Sequence, residues 1–222
     1  MRLRHIPGSE DEIKKSTWVY QSPEETQKSI KDPLFIEIGM GKGRFIIDNA
    51  FSYPDINFIG IEMYESVMVK ATRRLDALPR EEQPKNLHFV RMDARDIKEY
   101  FPPESVDRIY LNFSDPWSKT RHAHRRLPSA LFLNRFNSIL KTGSTIEFKT
   151  DNLGLFEFAL EEYEKAGFTL IYKTYDLHAD EEAMKSNIMT EYEEKFSAKG
   201  NKICKYIICK TGSADNVLTV QS

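Results

Sequence analysis

The sequence predicts an α/β fold: a mainly parallel seven-stranded sheet with an antiparallel last strand and helices on both faces. Two observations carry this. After Pro33, short β-rich runs alternate with helical stretches, the texture of strand–helix–strand units whose crossovers cover a parallel sheet. The last two strand candidates have no clear helix between them. Their connection, residues 180–200, is acidic and leaves room for at most a short helix, so the final strand is expected to return antiparallel.

Residues 1–33 are polar, with Pro7, Gly8, Pro23 and Pro33 as breakers, and read as an N-terminal arm. Strands are expected at 34–38, 57–62, 86–93, 106–113, 145–150, 169–177 and 202–209, where β-branched and aromatic residues gather. Over 153–166, Phe156, Ala159, Leu160, Tyr163 and Ala166 keep a three–four spacing, and Gly167 suits the helix stop. Residues 34–210 thus read as one domain, followed by a loose polar tail over 211–222.

Composition bounds the function. The 222 residues are 40% hydrophobic, 30% charged and 12% aromatic, which excludes collagen-like, mucin-like and broadly disordered chains. A chain of this length buries roughly 70% of its unfolded surface and needs no disulfide or metal to hold a core. The net charge is −2, so a polyanionic partner has to be met by a local basic patch. Cys204 and Cys209 sit five apart on one expected strand, on opposite faces and roughly 16 Å from each other, beyond bridging distance. The first residues lack the apolar core of a signal peptide, and no run approaches the roughly 20 apolar residues of a membrane span. The chain reads as cytoplasmic and reduced, without a membrane partner.

Between the first strand and its helix stands Glu37-Ile38-Gly39-Met40-Gly41-Lys42-Gly43. Glycines let backbone approach a ligand closely before turning into a helix, although a tight turn alone would use them too. Arg44 occupies the place of the last glycine in the dinucleotide pattern G-x-G-x-x-G. The run therefore suits a nucleoside cofactor without a pyrophosphate. The second strand ends in Glu62, about twenty residues after the glycines, where an acid accepts bonds from ribose hydroxyls. The third ends at Asp93, placed to accept from an adenine amino group. Each acid alone also reads as a solvated strand end. Three at the carboxyl ends of consecutive strands point to a cofactor cleft.

Asn112-Phe113-Ser114-Asp115-Pro116-Trp117 follows the fourth strand. Pro116 restrains Asp115 to an extended conformation, which sets its carboxylate at the rim of the same cleft; an Asp-Pro turn with a packing tryptophan is the plainer alternative. Lys119, Arg121, Arg125 and Arg126 then supply four fixed cations in eight residues, a phosphate-binding pattern in a chain of net charge −2. His122 and His124 lack a third ligand of sensible spacing, so no metal is expected.

The stretches EIGMGKG, YLNFSDPWSKTRHAHRR, FKTDN and NIMTEYEEKFSAKG resemble the bacterial tRNA (guanine-N7)-methyltransferases, class I enzymes dependent on S-adenosylmethionine, and the resemblance runs over nearly the whole chain. It implies a Rossmann-like methyltransferase fold and methylation of a variable-loop guanine in tRNA. It implies cofactor contacts at Glu37, Gly39, Gly41, Glu62, Asp93 and Asp115, with Asp115 also catalytic. Substrate contacts fall on Lys119, Asp151, Thr190, Glu191, Tyr192 and Glu193. The RNA-binding run is Arg121, His122, His124, Arg125 and Arg126. Ser118 and Thr120 depart from the proline and basic residue usual in that family. A carboxylate such as Asp151 or Glu193 suits guanine's adjacent N–H donors; Thr190-x-x-Glu193 also has the form of a helix capping box. An exocyclic-amine nucleic-acid methyltransferase, or a non-catalytic RNA-binding protein on the same scaffold, stands as the alternative. Monomer and homodimer are both compatible with the sequence.

Overall fold

The computed structural model describes residues 6–212. Eight strands form one sheet: β1 (Val19–Tyr20), β2 (Leu34–Ile38), β3 (Asn57–Glu62), β4 (Leu87–Arg91), β5 (Val106–Asn112), β6 (Leu140–Thr150), β7 (Phe168–Thr174) and β8 (Cys204–Lys210). Their order is β1-β4-β3-β2-β5-β6-β8-β7. Neighbours run parallel except β8, which inserts antiparallel between β6 and β7. The helices are α1 (Ser9–Lys15), α2 (Pro23–Ser29), α3 (Arg44–Ser52), α4 (Glu65–Asp76), α5 (Ile97–Tyr100), α6 (Ala130–Ile139), α7 (Leu153–Glu162), α8 (Glu181–Lys185) and α9 (Glu191–Ser197).

All seven expected strands form, and the antiparallel last strand is found. The count of seven is one short. The eighth strand, β1, comes from the segment that reads as an arm and pairs Val19 with Phe89 in parallel. Two residues are too few to display an alternation, which is why the pattern conceals it. Ile13, Trp18 and Val19 are buried, while Arg73 of α4 grips Glu12 of α1 with two bonds of 2.8 and 2.7 Å. Strand β6 starts five residues earlier than expected, directly after α6. A register shift between Val106 and Arg108 of β5 absorbs the extra residues and breaks the two-residue period. The acidic connection after β7 carries two short helices, α8 and α9, where at most one is expected. Both are capped, by Asp180 onto Ala183 N and by Thr190 onto Glu193 N.

Alternation along the strands builds two cores. Ile36 and Ile38 of β2 and Ile59 and Ile61 of β3 face one side, with Phe136 of α6 and Phe156 of α7. Phe58 and Phe89 face the other, with Ile46 of α3 and Met68 of α4. Helices thus cover both faces, and the carboxyl ends of β2 to β6 open along one edge. The chain reverses its direction of travel across the sheet between β2 and β5, the position where open α/β sheets leave a crevice for ligands.

Candidate active site

The glycine run turns tightly at that crevice. Gly39 N and Met40 N both donate to Ile61 O of the neighbouring strand, at 2.9 and 3.0 Å. Gly41 has a left-handed φ of 60°, and its N–H donates to Glu62 Oε2 at 3.1 Å. Gly43 opens α3 under closer constraint, since a Cβ there would lie 2.8 Å from Ala71 Cβ of α4. A Cβ on Gly39 or Gly41 would meet nothing within 4 Å, so the loop borders open space.

Three carboxylates stand at this edge in different states. Glu62 is fixed by three backbone donors, Gly41, Met63 and Tyr64. Burial pushes its carboxyl up, those N–H groups draw it back, and the charge of Asp115 adds to the rise. Glu37 is fully buried, and burial raises it to about 7, against the pull of a bond from Asn112 Nδ2 at 2.9 Å. Its second oxygen, Oε2, has no partner. Asp93 caps the turn Ala94–Asp96, and its ion pair with Arg95 at 2.7 Å holds it below the usual range.

The segment after β5 is strained. Phe113 and Trp117 take left-handed φ values of 51° and 41°, each of which costs on the order of 1–3 kcal/mol for a residue with a Cβ. Phe113 N donates to Lys149 O at 2.8 Å, which ties the segment to β6. Asp115 is exposed, as are Lys119, Arg121, His124 and Arg125, and His122 is half-buried with its ring edge-on to Trp117. Arg125 lies 5.1 Å over the Trp117 ring. Arg126 turns inward instead, to the carbonyls of Pro116 and Trp117.

The segment 187–197 closes the other side. Glu191 bridges Lys42 of the glycine run and Arg74 of α4, while Glu194 pairs with Arg44. Tyr192 OH donates to Asp151 Oδ2 at 3.2 Å, and its ring stacks on Phe196 and packs against Phe113. Asp151 also accepts from Asn201 Nδ2 at 3.0 Å. Glu193 is fully buried, bound by Lys149, Asn187 and His178. Thr190 accepts from Glu193 N at 2.9 Å, but the Glu193 carboxylate is drawn away to Lys149. Only half of the capping box is made. Asp151 and Tyr192 are thus brought together near the cleft, and Glu193 lies beneath it.

Lys149 and Asn112 were not singled out from the sequence. The available signal was a lysine interrupting the apolar end of β6, next to Phe148. Asn112 gave none, since a polar residue at a strand end is ordinary.

A family model described as "Putative methyltransferase" matches residues 31–206. A tRNA (guanine-N(7)-)-methyltransferase of Lachnoclostridium phytofermentans is 46% identical over 213 residues, covering 93% of this chain and 97% of that protein. The chain belongs to the tRNA (guanine-N7)-methyltransferase family. Solved structures resembling this tRNA (guanine-N7)-methyltransferase family member include the 16S rRNA methyltransferase KamB, at 15% identity and a TM-score of 0.63 over 85% of this chain and 92% of that one. An antibiotic-related methyltransferase matches at 19% identity and a TM-score of 0.64, over 87% and 96%. These structures share the class I methyltransferase fold.

The cleft of this family member suits S-adenosylmethionine, a cationic nucleoside. Glu37 Oε2 and Ser114 Oγ are buried polar atoms without partners, and open space borders Gly39 and Gly41. Glu37 stands two residues before that open loop, so its unmet oxygen leaves an acceptor to spare for a ligand carrying positive charge. No helix of the described residues is long and apolar enough to cross a membrane.

Proposed function

We propose that this protein methylates N7 of a variable-loop guanine in tRNA, with S-adenosylmethionine as donor and Asp115 as the catalytic carboxylate. One observation carries the reading: the Asp115 segment leaves the sheet beside Glu37, bonded to it through Asn112, in a chain 46% identical to a tRNA (guanine-N7)-methyltransferase across 97% of its length.

The cofactor supplies an activated methyl group. Glu62, held rigid by three N–H donors, would accept from the ribose hydroxyls, and Asp93 from the adenine amino group. The unpartnered oxygen of Glu37 would be available to the positively charged part of the cofactor. Guanine N7 has a lone pair and no proton, so the reaction needs no strong general base. The purine becomes cationic as N7 takes the methyl carbon; the sulfur–methyl bond that breaks would leave its electron pair on sulfur, giving an uncharged thioether as the leaving group. Asp115 opposes that charge electrostatically, and the other groups hold the two reactants in line. Asp151 and Tyr192, bonded to each other at the cleft, contact the guanine. Glu191 and Thr190 hold the α9 segment over the glycine run, and Glu193 anchors it from below. Lys119, Arg121, His122, His124 and Arg125 meet the tRNA backbone.

The test is incubation of the protein with labelled S-adenosylmethionine and unmodified tRNA, followed by nucleoside analysis. The expected product is 7-methylguanosine. A methylated exocyclic amine would replace this reading with the alternative chemistry, and absence of any transfer would remove it.

A further inference from the structure

We infer that Arg126 is a positioning residue for the Asp115 loop and not a phosphate contact, an inference that rests on the catalytic reading of that loop. Arg126 closes the basic run, and by sequence it looks like its neighbours. The structure separates it from them. Arg121 and Arg125 are exposed, whereas Arg126 is half-buried and directed back at the loop. Its Nε donates to Pro116 O at 2.9 Å and its Nη2 to Trp117 O at 3.2 Å. Its Cζ lies 4.4 Å over the ring of Phe158 in α7. The main chain of Arg126 is fixed too, with its N–H on Ala123 O and its carbonyl accepting from Ser129, both at 3.0 Å.

Two consecutive carbonyls gripped by one edge of a guanidinium make a clamp. The donors are coplanar and fixed relative to each other, so the grip sets the orientation of the Pro116 and Trp117 peptides as well as their position. That orientation needs holding. Trp117 has a φ of 41°, and Phe113, at the other end of the loop, has one of 51°. Strained backbone persists only where its surroundings over-determine it. Asp115 lies between these two residues, exposed and without a side-chain bond of its own to fix it. Its direction is inherited from the peptides on either side. The clamp on Pro116 and Trp117 is the tie on one side, and Phe113 N on Lys149 O is the tie on the other.

The experiment compares Arg126→Lys, Arg126→Gln and Arg125→Gln, with Asp115→Asn as reference. Lysine keeps the charge and the stem that packs on Phe158 but cannot make the two-pronged grip. Both Arg126 variants are expected to lose about 10²-fold in kcat. Their KM for tRNA, tRNA affinity and salt slope should stay at wild-type values. Arg125→Gln should instead weaken tRNA binding and lower the log–log salt slope by about one. In a Trp18→Phe background, acrylamide quenching of Trp117 should increase in both Arg126 variants, a readout independent of turnover. The inference is overturned if Arg126→Lys restores kcat, if the Arg126→Gln salt slope falls by about one, or if Trp117 quenching is unchanged. Failure of the catalytic reading is separate: it would appear as wild-type turnover in Asp115→Asn or a product other than 7-methylguanosine.

Discussion

Lys149 Nζ lies 2.6 Å from Glu193 Oε2, and neither side chain is more than 4% exposed. The pair joins the carboxyl end of the interior strand β6 to the α9 segment. Asn187, Ile188 and His178 complete its hydrogen bonds. Breaking such a pair by removing one partner leaves an uncompensated buried charge. Glu193→Gln is therefore expected to lower stability by about 3–5 kcal/mol, measured by urea denaturation. The combined Lys149→Met and Glu193→Leu variant should recover much of that loss. Burial works against the Glu193 carboxylate, but attraction to Lys149 and the bonds from Lys149, Asn187 and His178 outweigh it and hold its pKa below 4.5. A depressed folded pKa means the contribution is complete above 4.5 and is lost as pH falls through the lower folded value. Glu193→Gln should be less sensitive to acid in that window than the wild type.

Glu37 titrates in the opposite sense. Burial raises it from 4.5 to about 7 in the folded protein, with Asn112 and Lys149 pulling it down and Glu62 pushing it up. Below 4.5 the acid is protonated in both states and contributes no pH dependence. Between 4.5 and about 7 only the unfolded chain ionises, so stability of the ligand-free protein falls as pH rises. Glu37→Gln should therefore gain on the wild type across that window, by about 3 kcal/mol at pH 8 and little at pH 4.5. Denaturation at the two pH values measures the gap. A constant gap would mean that Glu37 does not titrate there.

Asp115→Asn preserves size and one acceptor oxygen while removing the charge. If the carboxylate opposes a developing purine cation, kcat should fall on the order of 10²–10³-fold, with tRNA affinity changing far less. Single-turnover assays with saturating tRNA distinguish the two. A variant with full turnover would leave Asp115 as an ordinary turn residue.

The exposed cations can be counted by salt. Neutralising Arg121 and Arg125 together should weaken tRNA binding and lower the log–log salt slope by about two units, with cofactor affinity unaltered. An unchanged slope would make the run a solvated face.

The sheet was legible because seven of its strands are long enough for their apolar runs to stand out, and the glycine run marks where the first helix begins. The strand Val19–Tyr20 was not, since its partner β4 lies about seventy residues away and only that pairing defines it. At the site, Glu37, Glu62, Asp93 and Asp115 could be placed by counting from strand ends, because position along a strand fixes position at the sheet edge. Glu193 shows where counting stops. The same Thr190-x-x-Glu193 spacing serves a cap, a ligand contact or a buried ion pair, and the choice depends on Lys149, forty-four residues earlier. Arg126 and Arg125 are identical in type and adjacent in sequence. Only the fold of the loop shows that one turns inward.

The insertion of β8 between β6 and β7 has a consequence for synthesis. Among the described residues, strand β7 is paired only with β8, and β6 has no neighbour on that side until β8 arrives. On the ribosome, β6 and β7 emerge first and cannot complete each other. The nascent protein therefore carries two unpaired strand edges, among them the stretch with Ile146 and Phe148, until residues 204–210 are free to slot between them. The strand made last is the one that seals the sheet.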